Sequence, residues 1–108
     1  MIKCGVDIVH NPRFDNYLTD VNFVGRVFHN SELKERKKLR GVFALKEAVM
    51  KVLGKKVEWK KIEVKYDKTK PKITLSIDIV PKGYKGIDVS VSHDGDYTIA
   101  FVVMELKD

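Results

Sequence analysis

The hydrophobic pattern of this chain changes period near its middle, and that change limits the possible folds more than any other feature. Phe43, Ala44, Leu45, Ala48, Val49, Val52 and Leu53 recur at helical spacing, and Gly54 supplies a stop. Beyond Ile62 the spacing falls to two. Ile62-Val64-Tyr66, Ile73-Leu75-Ile77-Ile79, Ile87-Val89-Val91-His93 and Tyr97-Ile99-Phe101-Val103 alternate with other residues and read as successive strands. Asp94-Gly95-Asp96 fits a hairpin turn. The second face of the final strand, Thr98, Ala100, Val102 and Met104, is nearly as apolar, which places that strand centrally or under cover on both sides.

The first half predicts a strand from Met1 to Val9, with Ile2, Cys4, Val6 and Ile8 on one face and Asp7 on the other. Asn11-Pro12 opens a short helix through Leu18, Asn30 or Ser31 caps a charged helix from Glu32 to Leu39, and Arg40-Gly41 breaks the pattern before the long helix. The expected class is α+β, an antiparallel sheet meander packed with helices from the N-terminal half. One domain over residues 1–108 is expected, because 108 residues suffice for a single core and are too few for two ordinary domains. So small a core leaves little spare stability, and self-association is a natural remedy.

A formal charge of +6 attracts polyanions without choosing among them. No apolar run approaches the ~20 residues needed to span a bilayer, and no signal segment opens the chain. Cys4, the single cysteine, reads as a buried small hydrophobe. A soluble, cytoplasmic protein with no membrane partner is expected.

Three segments carry residues capable of chemistry. Asp7 stands in Gly5-Val6-Asp7-Ile8-Val9, where a strand prefers other residue types, so its carboxylate must be solvated, paired or bound to a metal. Glu47 and Lys51 lie four apart on the long helix and share a face. By itself that spacing describes a common surface pair worth about 0.2–0.5 kcal/mol. Ser90-Val91-Ser92-His93-Asp94 ends a strand at a turn, where Ser92 and His93 could bind a phosphate or simply satisfy local backbone groups. No cysteine and histidine spacing suggests zinc, and no glycine-rich loop has the form that cradles a nucleotide.

Taken in this order, the three segments resemble the holo-acyl-carrier-protein synthase family of 4′-phosphopantetheinyl transferases. Gly5-Val6-Asp7-Ile8-Val9 is similar to the family's Gly-Ile-Asp motif, Phe43 through Gly54 to its central helix, and Val89-Ser90-Val91-Ser92-His93-Asp94 to its Ser-Ile-Ser-His strand. The resemblance implies the family's fold and transfer of the phosphopantetheine arm of coenzyme A to a carrier-protein serine, in support of fatty acid biosynthesis. It implies that Asp7 and Glu47 hold Mg²⁺ at the coenzyme diphosphate with Lys51 nearby, that Ser92 and His93 contact coenzyme A, and that Lys46 is a possible further contact. It also implies that Arg13, extended by Arg26, docks the acidic acyl carrier protein, and that a homotrimer carries its active sites at subunit interfaces. Two positions depart from the family pattern: His10, where an acidic residue is usual, and Val42, where many members carry arginine.

A rival reading is a small basic nucleic-acid-binding module, its lysines following a phosphate backbone. It explains the charge and leaves Asp7, the Glu47–Lys51 pairing and the serine-histidine strand unexplained, so no nucleic-acid partner is expected.

Overall fold

A computed structural model describes residues 1–108. Strand β1 (Ile2–His10) leads into three short helices, α1 (Asn11–Tyr17), α2 (Val21–Val27) and α3 (Asn30–Leu33), then the long α4 (Leu39–Leu53). Four strands follow: β2 (Ile62–Asp67), β3 (Lys70–Leu75), β4 (Tyr84–Asp94) and β5 (Tyr97–Leu106). The α+β class is as expected, but the meander is divided. The strands β2 and β3 form a separate hairpin, while β5 lies between β1 and β4 in an antiparallel three-stranded sheet, the central position its two apolar faces predicted.

The boundaries shift for local reasons. Asp20 caps α2 by accepting from the backbone N–H groups of Asn22 and Phe23, and the helix ends at Val27 before extended Phe28. His10, not Asn11, is the N-cap residue of α1, with Pro12 in its first turn. Ile77 to Ile79 form a 3₁₀ turn rather than the end of a strand. Arg40 and Gly41 do not break the long helix. Gly41 packs closely within it: a Cβ there would lie 3.2 Å from the Tyr66 hydroxyl and 3.3 Å from a Val91 methyl.

Helix α4 covers one face of the sheet. Ala44, Leu45, Ala48 and Val49 are wholly buried, as are Thr98, Ala100 and Val102 of β5. The closest approach is at Gly5 of β1, where an added Cβ would sit 2.4 Å from the carbonyl oxygen of Ala48. Backbone-to-backbone crowding cannot be relieved by a rotamer change. Gly5→Ala is expected to cost about 1–3 kcal/mol, the range for overpacking, and to lower the thermal midpoint of unfolding.

The outer face of the same sheet is exposed and apolar. Ile2, Val6 and Ile8 of β1 and Tyr97, Ile99 and Phe101 of β5 are 41–64% accessible. Cys4 shares that face and is exposed, which corrects its expected burial. Alternation grouped these residues correctly, but in the isolated chain the face without a covering layer is theirs.

Candidate active site

Asp7 projects from β1 toward α4, and Glu47 meets it from the helix. Both line a cavity of about 280 Å³ whose wall also includes Arg13, Phe14, Tyr17 and Phe43. Gly5 and Asp7 are two apart on one face of the strand, so the position that admits α4 so closely also directs Asp7 at it. Lys51, one turn beyond Glu47, bends back over β1. Its ammonium donates to the Val6 carbonyl at 2.8 Å and to Asp7 Oδ1 at 3.2 Å. The structure thus brings Asp7, Glu47, Lys51 and Arg13 together.

Burial pushes the Asp7 carboxyl above its ordinary range, although the hydrogen bond and charge of Lys51 pull it down. Glu47 is also raised, first by burial and then by the charge of Asp7, against weaker opposition from Lys56 and Lys51. Unlike Asp7, Glu47 receives no hydrogen bond from a side chain and forms no ion pair. A half-buried carboxylate facing a second one without a direct partner is costly unless a cation joins them. The donor set suits Mg²⁺. The chain offers no third ligand for an all-protein cage, and Mg²⁺ commonly takes one or two carboxylates and completes its octahedron with water and substrate phosphate.

Ser92 and His93 do not reach this cavity. Adjacent residues of a strand face opposite ways, and Ser92 pairs with exposed Ile99 while His93 pairs with buried Thr98. His93 lines a second cavity of about 490 Å³, with Lys37, Lys38, Thr69, Lys70 and Tyr66 in its wall. Lys38 holds its ammonium 4.0 Å from the centre of the Tyr66 ring. From the sequence these lysines have no place in the site, because Lys37 and Lys38 fall in a charged helix and Lys70 in the connection between two strands. Only the fold, which sets β3 beside β4, brings them to one opening.

Lys46 is corrected outright. Its side chain is fully buried, donating to the Val27 carbonyl at 2.7 Å and pairing with Glu32 at 2.8 Å, so no part of it faces a ligand. Burial lowers its affinity for a proton while Glu32 raises it. The helical offset from Glu47 points Lys46 into the core. Arg26 is exposed on α2 beside Trp59, lining a different cavity from Arg13. Val42 is 2% exposed and belongs to the hydrophobic core. His10 shares the Asp7 cavity, with a buried Nδ1 that has no hydrogen-bond partner.

Comparison with known proteins identifies the family. A family model described as the 4′-phosphopantetheinyl transferase superfamily matches residues 3–102. The holo-acyl-carrier-protein synthases of Finegoldia magna and Pelagibacter ubique are each 34% identical, over 99% of this chain and 98% of theirs. Among solved structures, Helicobacter pylori holo-acyl-carrier-protein synthase in complex with coenzyme A superposes with a TM-score of 0.83 at 32% identity, covering 97% of this chain and all of that one. A Chronobacterium ammoniagenes ACPS–CoA complex gives a TM-score of 0.85 at 26% identity, over 100% of this chain and 99% of the other. On motif, fold and full-length identity together, the chain belongs to the 4′-phosphopantetheinyl transferase superfamily, among its holo-acyl-carrier-protein synthases.

Proposed function

We propose that this enzyme transfers the 4′-phosphopantetheine arm of coenzyme A to a serine of an acyl carrier protein in the cytoplasm, within fatty acid biosynthesis, as a single transferase domain. The observation that carries the reading is Glu47, a half-buried carboxylate without a direct partner, sharing a cavity with Asp7 and Arg13. Asp7 and Glu47 would hold Mg²⁺, which when bound neutralises phosphate charge. In the transfer the serine oxygen bonds to the phosphorus bearing the pantetheine arm, the bond to adenosine 3′,5′-bisphosphate breaks, and the serine proton passes to a water held at Glu47. Lys51, anchored on the Val6 carbonyl, keeps a positive charge at the edge of the site. Arg13 lies on the cavity wall and Arg26 on a neighbouring exposed helix, both suited to an acidic carrier.

Incubation with an apo carrier protein, coenzyme A and Mg²⁺ should add one phosphopantetheine to the carrier by intact mass, and chelation should abolish the gain. A folded enzyme that adds nothing to several apo carriers would sink the assignment.

The exposed apolar sheet face supports self-association, and the number of copies, three, is what the family resemblance implies. Ser92 lies on that face, pairing with Ile99, so a neighbouring subunit would complete the surroundings of Ser92. Phe101→Asp is expected to convert the species seen by light scattering from three chains to one, and an unchanged mass would reject this face as the interface.

A further inference from the structure

Two polar side chains lie deep in the core with no part in the reaction described above. Thr98 of β5 is wholly buried, and Asn11, at the start of α1, is 6% exposed. Buried hydroxyl and amide groups destabilise a fold unless they are hydrogen bonded. Here they bond to each other, and Thr98 also bonds to His93. Thr98 Oγ1 donates to Asn11 Oδ1 at 2.8 Å and stands 3.0 Å from His93 Nδ1.

A hydroxyl has one proton to give. With that proton committed to Asn11, the contact with His93 must run the other way, Nδ1–H donating into a lone pair of Thr98. The neutral ring then carries its only proton on Nδ1, and the nitrogen left for the basic cavity, Nε2, is an acceptor. Every charged group lining that cavity beside His93 is a lysine: Lys37 and Lys38 from the turn before α4, and Lys70 from β3. Tyr66 and Ser90 add hydroxyls that can donate. In such a surrounding, where Lys38 and Lys70 are themselves paired with Glu35 and Asp88, an unprotonated Nε2 presents a lone pair to an entering anion.

We propose that Asn11 and Thr98 fix His93 as the Nδ1–H tautomer, so that a phosphate monoester entering the basic cavity takes up one proton at Nε2. The proton converts a repelled lone pair into a charge-assisted donor. Thr98 and Asn11 are positioning residues, acting on the ligand only through His93. The ligand half of the proposal rests on the reading that coenzyme A is the substrate, since coenzyme A carries a phosphate monoester on its ribose.

Nitrogen-15 spectra of the free protein under mildly alkaline conditions read the tautomer directly, with His93 assigned by its loss in His93→Gln. The expected result is Nδ1–H in the wild type and in Thr98→Ser, and loss of that preference in the near-isosteric Thr98→Val. An Nε2–H tautomer in the wild type, as a reversed Asn11 amide would impose, overturns the proposal, as does an unchanged tautomer in Thr98→Val. Calorimetry of coenzyme A binding in buffers of different ionisation enthalpy should then show uptake of about one proton per site by linkage. That uptake should vanish with dephospho-coenzyme A and in His93→Gln, and its absence from the wild type overturns the linkage. If coenzyme A does not bind at all, the transfer reading fails and takes the linkage with it, while the spectra still decide the tautomer.

Discussion

Glu32→Leu is expected to lower the free energy of unfolding by about 3–5 kcal/mol, the range for removing one member of a buried ion pair. The carboxylate and its lysine partner together join four elements. One oxygen accepts from the Lys46 ammonium and from the His29 N–H, and the other accepts from the Val64 N–H of β2. Lys46 in turn holds the Val27 carbonyl at the end of α2. Leucine matches the volume of the site and none of its polarity, so a lysine charge and two backbone donors would be left without a partner in the core. Lys46→Met should cost a similar amount, because it strands the carboxylate. A simple ion pair predicts that the double variant recovers most of the loss. Here recovery should be partial, because the N–H groups of His29 and Val64 and the Val27 carbonyl stay unpaired, at about 1–3 kcal/mol each. Urea midpoints of the two single variants and the double test this, and full recovery in the double would reduce the network to a charge pair.

The same network shows where sequence reasoning stops. Helical spacing offsets Lys46 from Glu47 by about 100° around α4, yet leaves Lys46 standing as a possible coenzyme contact. That spacing could not show that Glu32, from a segment read as a charged helix, waits inside to receive it. For the strand containing Asp7, period two put the carboxylate opposite the apolar set, as observed, but alternation cannot tell which face another layer will cover. Gly5 settles that, because α4 can approach so closely only where a side chain is missing. The α4 helix and the central place of β5 were legible because each depends on a repeat within one segment. The Asp7–Glu47 meeting and the lysine-lined cavity at His93 depend on contacts between distant segments, and only the resemblance to known motifs anticipated the first of them. The opposed directions of Ser92 and His93 were implicit in strand geometry throughout.

Glu47→Gln should separate a catalytic from a structural role more cleanly than any other substitution here. Transfer is expected to fall by about two to three orders of magnitude, the loss typical of removing one preorganised electrostatic contact. Stability should move the other way. The Glu47 carboxyl is raised by burial and by Asp7, so the folded protein holds this proton more readily than the unfolded chain does. Stability is therefore lost as pH rises from the ordinary carboxylate range through the raised value, and above it the folded state carries an unfavourable charge. Glutamine keeps the shape and removes the charge. The variant should melt above the wild type at neutral pH, and the difference should shrink as pH falls below the carboxylate range. Mg²⁺ gives a readout that needs no turnover, because a ligand that binds only the folded protein raises its melting temperature. The wild type should be stabilised by added Mg²⁺ and Glu47→Gln should not. If the variant melts below the wild type and both respond equally to Mg²⁺, Glu47 is a structural residue and the metal lies elsewhere. A functional carboxylate predicts a protein that is more stable, inert to Mg²⁺ and nearly inactive.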